Sequence, residues 1–367
     1  MRTKDLMLLA TAISLVAGSL RAAQERNAPD APNAASRPAC GRNAALGYWM
    51  AMAQMENPDA ASSLADDLER AARGDVTWDD RFGRIVDANH EALATMHRAS
   101  RQPYCDWGLE YSRSAQAPIA HLVRARALAR LNVLLGLQFL RHGRPAGAAD
   151  AWAAGLRFSR DIAAGAPLLG ALYASSQLQV HMRAIERARE QLPADRLRAI
   201  EKLVSEWPED GFAWNAAIEI ELGGVMGLQQ ALVTSDDPCR DLRDLFGKGE
   251  SRARQDRAVA DYLGLPVQRL TDREAVSQAV QRGLSAMTLL RPQMVAAFRL
   301  PQAGSIESVR DIVAKAQADP TLAQGWPSFA RANEESRGGL VKARASLLLA
   351  LRNASPPSPS RNRTTGP

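Results

Sequence analysis

Lysine, histidine and cysteine are all scarce in this 367-residue chain. The lysines are Lys4, Lys202, Lys248, Lys315 and Lys342, against 41 arginines. That skew, together with abundant alanine, reads as composition rather than selected guanidinium chemistry. The three cysteines, Cys40, Cys105 and Cys239, stand too far apart for a CxxC redox pair or a zinc site. Aromatics make up only 5% of residues, and no run of alternating β-branched residues is bounded by turn signals, so strands are not expected. No GxSxG, HExxH, phosphate-binding glycine loop, dinucleotide glycine pattern or calcium loop occurs. The cluster Asp236, Asp237, Asp241 and Asp244 lacks calcium-loop spacing, and His121, His142 and His181 are isolated. Neither a metal nor a cofactor is expected.

The net charge of +6 raises the question of a polyanionic partner. Much of it lies at the ends, however, in Arg2 and Lys4 and in Arg361 and Arg363. The remainder is too thin to supply the phosphate neutralisation on which nucleic-acid affinity rests. No nucleic-acid partner is expected.

What is present begins with an address. A basic start, MRTKD, precedes the apolar run Leu6 to Leu20, and small residues follow at Ala22 and Ala23. Fifteen residues are too few for a stable membrane span, so residues 1–23 read as a cleaved signal peptide. The mature protein is expected to be exported, periplasmic or extracellular, without stable membrane insertion.

Residues 24–42, with three prolines and mostly small or polar side chains, read as a linker. From residue 43 apolar positions recur at helical spacing, predicting an all-α fold. Helices are expected at 43–56, 59–73, 78–100, 117–142, 145–163, 167–191, 194–206 and 209–233. The polar segment 234–250, with Pro238, Gly247 and Gly249, predicts a loop or boundary before a second helical region at 251–352. Helices there are expected at 251–264, 271–299, 305–317 and 327–352. Pro167, Pro193 and Pro327 suit first-turn positions, and Asp272 and Ser305 suit caps. The tail 353–367 has four prolines and no apolar anchor, so disorder is expected.

Chemistry is concentrated in Tyr104-Cys105-Asp106-Trp107-Gly108-Leu109-Glu110-Tyr111, which joins two predicted helices. Asp106 and Glu110 are the candidate catalytic carboxylates, and Trp107 and Tyr111 the candidate binding aromatics. The alternative is a structured connector in which Trp107 packs inward and Asp106 bonds backbone amides. Cys105 is expected in a disulfide, with Cys40 the preferred partner and Cys239 a competitor. On one predicted helix, Asp87, His90 and His97 share a face with Glu91 nearby, a spacing that suits surface residues better than metal ligands. Glu219 and Glu221, two apart among apolar residues, point to different faces, so an ion pair with arginine fits them better than a catalytic dyad.

Between Leu128 and Asp161, Gly136, Phe139, Gly143, Ala148, Trp152 and Gly155 follow the spacing of small and aromatic residues in two close antiparallel helices. This stretch resembles a tetratricopeptide repeat, with Asn132 standing at the family's first-helix tryptophan position and no closing proline. The resemblance implies an α-solenoid of antiparallel hairpins over 43–233, with a concave surface that binds a protein or peptide partner. The chain also resembles large exported all-α proteins of bacteria. The expected function is binding or scaffolding. The alternative is an α/α glycan-acting hydrolase or lyase, for which two facing carboxylates in a deep cleft would be diagnostic.

Overall fold

The computed structural model describes residues 43–56, 62–109, 120–246, 250–318 and 326–354. The protein is all-helical, and among the described residues the single β-bridge joins Asn43 and Tyr104. The first helices are α1 (Ala44–Gln54), α2 (Ser62–Arg73), α3 (Asp80–Ala88), α4 (His90–Ala99), α5 (Ala120–Arg141), α6 (Pro145–Ile162), α7 (Leu168–Ala188) and α8 (Ala194–Ser205). They are followed by α9 (Trp214–Val233), α10 (Pro238–Phe246), α11 (Arg252–Leu263), α12 (Arg273–Arg299), α13 (Gln302–Gln317), α14 (Trp326–Arg331), a π-helical turn (Ala332–Arg337) and α15 (Gly338–Ala354).

Local chemistry sets several boundaries. The Asn43, Asp79 and Asp272 side chains accept from backbone amides two or three residues on, capping α1, α3 and α12. Pro167 and Pro193 stand at the N-caps of α7 and α8, one residue before the expected first turn. Ser305 is not a cap. It is buried within α13, where its hydroxyl accepts from Asn333 Nδ2 at 3.0 Å. The helix expected over 78–100 is broken at Asn89, whose side chain donates back to the Ile85 carbonyl at 2.9 Å. The polar stretch expected as a loop at 234–250 contains α10, started by Asp237, whose carboxylate accepts from Arg240 N–H at 2.9 Å.

The α5–α6 hairpin is closed by a three-residue turn. Gly143 takes a φ of 67°, the left-handed value that glycine adopts without steric cost, and Pro145 opens α6. Across the pair Asn132 meets Gly155, Gly136 meets Trp152 and Phe139 meets Gly147, so the helices run antiparallel. Trp152 is fully buried, and its indole N–H donates to the Val133 carbonyl at 3.1 Å. A β-carbon at Gly136 would lie 2.2 Å from that indole, which is why only glycine fits there.

One hydrophobic core runs from α1 through α7 and includes Leu340, Leu347 and Leu351 of α15, which packs on α7 and α8. The last helix therefore folds back onto the first region across the expected division at 234–250. A smaller core joins Leu232, Cys239, Leu242, Val259, Leu263 and Val280. Helix α12 serves both, with Val276, Ala279 and Val280 in the small core and Met287, Leu290, Met294 and Phe298 in the large one. Glu69 of α2 ties that helix to α5 by accepting from Arg126 at 2.6 Å and from Arg130.

Candidate functional site

The segment after α4 is a docked connector. Ala44 N–H donates to the Tyr104 carbonyl at 2.8 Å, and Asn43 and Asp106 exchange a reciprocal pair of hydrogen bonds at 2.8 and 2.9 Å. Both oxygens of the Asp106 carboxylate are engaged, one by Gly108 N–H at 2.9 Å and the other by the Tyr104 hydroxyl at 3.1 Å. Trp107 is buried, and its indole N–H donates to the Asp161 carbonyl at 2.7 Å. Glu110 and Tyr111 lie outside the described residues, as do residues 1–42 and 355–367 with the expected signal peptide, linker and tail.

Cys40, the preferred disulfide partner, lies outside the described residues, and among the described residues Cys105 forms no disulfide. Its sulfur points at the Asp161 carbonyl, 3.9 Å away, and burial pushes the thiol up, with Asp161 and Asp106 adding to the rise. Cys239 is also free, in the small core. Beside Cys105, the Tyr48 hydroxyl donates to Asp161 Oδ2 at 2.6 Å. Burial lifts Asp161 to about 6, opposed by that hydrogen bond and by the charges of Arg160 and Arg157.

The other expected groupings separate. The break at Asn89 sends Asp87 to Gln138, which donates to it at 2.9 Å, and leaves His90 and Glu91 exposed. Glu219 is half-exposed, 3.7 Å from Arg291. Glu221 has no arginine partner among the described residues. It accepts from the Leu168 N–H at the start of α7 at 3.2 Å, and burial raises it to about 7. His142 is exposed, whereas His121 is buried beside Trp49 and Trp107. Among the described residues no group of three or more His, Cys, Asp or Glu is placed to hold a metal.

A cleft of about 380 Å³ opens between α4, α6 and α8. Its polar lining is His97, Ser100 and Arg101 around the end of α4, Asp150 and Arg157 on α6, and Arg196 on α8. Ala149, Ala153 and Ala154 keep the α6 wall low. Asp150 is already engaged, its Oδ1 lying 3.2 Å from Arg196 Nε. Among the described residues, no carboxylate lies within ion-pair distance of Arg101 or Arg157.

Behind the cleft runs a chain of polar groups. His181 Nδ1 lies 2.9 Å from the Gln177 carbonyl, which can only accept, so that nitrogen carries the proton. Nε2 of His181 then accepts from Asn132 Nδ2 at 3.1 Å, while the same amide donates to the Ala151 carbonyl at 2.9 Å. Asn132 Oδ1 therefore accepts from His97 Nε2 at 2.6 Å. That leaves the Nδ1 lone pair of His97, a residue of the cleft lining, outside this chain of hydrogen bonds. Burial lowers both histidines, His181 to about 4, so both rings are neutral near pH 7.

Sequence reasoning missed this site. Arg101, Arg157 and Arg196 are hidden among 41 arginines and come from two helices and the turn that follows a third. The available signal was Asn132, a polar residue in an apolar helix at the position where the resemblance calls for tryptophan. In comparisons with known proteins, no family model, curated protein or solved structure matches the chain.

Proposed function

We propose that the chain is an exported, non-catalytic α-helical protein that binds a protein or peptide partner through the α4–α6–α8 cleft. The observation that carries this reading is the composition of the cleft: Arg101 in the turn after α4 and Arg157 on α6 have no ion-pair partner among the described residues, and the single lining carboxylate, Asp150, is paired with Arg196. A glycan hydrolase needs two carboxylates facing each other across the scissile bond. Asp150 has no facing partner in the cleft lining, and Asp106 is occupied by Gly108 and Tyr104. The close α5–α6 packing at Gly136, Ala148, Trp152 and Gly155 supports a tetratricopeptide-like hairpin within a solenoid. Export rests on the basic start and the apolar run at the N-terminus. No helix among the described residues is long and apolar enough to cross a membrane.

The test compares the full chain with an Ala153→Trp variant, whose indole fills the cleft, as baits in the envelope fraction of the producing cells. A partner retained by the first and lost from the second, with both baits equally folded by circular dichroism, is the expected outcome. Identical capture by the two sinks the assignment of the cleft.

A further inference from the structure

We infer that the cleft receives a dianion, in the form of two carboxylates or one phosphomonoester. This rests on the reading of the cleft as a binding site and adds the charge, size and hydrogen-bonding character of what enters it. Three guanidinium groups and one carboxylate line the cleft, and Arg196 is offset by Asp150 at 3.2 Å and by its neighbour Asp195 at 3.9 Å. The excess of two positive charges therefore resides on Arg101 and Arg157, which stand at the end of α4 and on α6. Arg157 is half-buried; its charge acts on Asp161 one turn along α6, but among the described residues no carboxylate is in ion-pair contact with it. Planar guanidinium forks match carboxylate and phosphate oxygens two at a time. A monoanion leaves one of the two unmatched.

Two further features define the ligand. The volume of about 380 Å³ lies at the lower end of ligand pockets, and the alanine wall on α6 favours a short aliphatic body. His97 adds no charge, because burial disfavours its imidazolium, and its Nε2 proton is directed inward to Asn132. Its Nδ1 lone pair is an acceptor for a hydroxyl or amide N–H on the ligand. The cleft thus combines cationic donors with one neutral acceptor.

Isothermal titration of the full chain tests this with succinate, methyl phosphate and N-acetyl-Asp-Asp-amide as dianions. Propionate and N-acetyl-Ala-Ala-amide serve as controls at matched ionic strength. The dianions are expected to bind at least about tenfold more tightly than propionate, and R101A/R157A to abolish their binding. Asp150→Asn, which removes the carboxylate from the cleft lining and leaves Arg196 only the longer contact with Asp195, is expected to tighten it and remains informative if the double variant does not fold. Arg254→Ala, at an exposed arginine of α11, leaves it unchanged. Tightest binding of the acidic dipeptide identifies a peptide as the source of the charges, and tightest binding of succinate or methyl phosphate a free metabolite. Equal binding of propionate, or dianion binding that R101A/R157A leaves intact, overturns the inference. Binding of only the neutral dipeptide, abolished by Ala153→Trp, rejects the dianion while leaving the cleft a binding site. No binding of any probe rejects the dianion as well.

Discussion

Gly155 on α6 faces Asn132 on α5 so closely that a β-carbon at 155 would lie 2.2 Å from the Asn132 amide nitrogen and 2.1 Å from His181 Nε2. The glycine makes room for the polar chain that backs the cleft, a different role from that of Gly136, which makes room for the Trp152 indole. Gly155→Ala must push the amide or the imidazole away. Overpacking together with a broken buried hydrogen bond is expected to cost about 2–4 kcal/mol. Urea unfolding at pH 7 measures it, and a loss under about 1 kcal/mol would show that the Asn132–His181 contact gives way freely.

The two neutral histidines make stability depend on acid. A histidine whose folded pKa lies below its unfolded value binds its proton more readily when the chain is unfolded. Its contribution is therefore complete above about pH 6.5 and declines as pH falls toward about 4, the folded value of His181. Asp161 and Glu221 act in the opposite sense, because each takes up its proton more readily in the folded chain. The whole-protein profile mixes these slopes, so the measurement is a difference. Relative to His181→Gln, the wild-type protein is expected to lose on the order of 1–3 kcal/mol between pH 7 and pH 4. Parallel profiles would mean that His181 is as readily protonated as a histidine in water.

Glu221 supplies the reverse experiment. Its carboxyl is lifted to about 7 by burial, while one oxygen holds the Leu168 amide. Glutamine keeps that acceptor and removes the charge. Glu221→Gln is expected to match the wild type near pH 4.5 and to become more stable by about 1–3 kcal/mol as pH rises past 7. Thermal melts across that range decide it, and a constant difference would place the carboxylate in solvent.

The helical class was legible because apolar residues at a 3.6-residue period leave little alternative to a buried stripe. Breaks in that period were harder to see. Asn89 interrupts the expected 78–100 helix through its own side-chain bond to Ile85, a choice between two local hydrogen bonds that composition does not betray. Helix α10 was concealed because polar residues surround the few that reach the small core, Cys239, Leu242 and Leu245. The Asp106 and Trp107 connector was visible as a dense segment, yet its two readings could be separated only by the partners of the carboxylate. The cleft was not visible at all. Its guanidinium groups are brought together by the packing of α4, α6 and α8, and nothing in their sequence spacing marks them.

The buried cation at the start of α15 gives the most demanding test of the fold. Arg337 is 2% exposed, and its guanidinium contacts two segments distant in sequence as well as its own π-helical turn. It bonds Asp210 Oδ2 at 2.8 Å before α9, the Leu300 carbonyl at 2.7 Å after α12, and Asn333 Oδ1 at 3.2 Å in the π-helical turn, while lying over the Phe298 ring. Asn333 continues the chain to Ser305. Each donor thus satisfies an acceptor that would otherwise be withdrawn from water without a partner. Arg337→Met preserves most of the volume and leaves Asp210 without its cation. The expected cost is about 3–5 kcal/mol, as for removing one member of a buried ion pair. Asp210→Asn in the same background should recover part of the loss, because the stranded charge is then gone. A double variant no more stable than Arg337→Met alone would locate the loss in the Leu300 and Asn333 contacts instead of the ion pair.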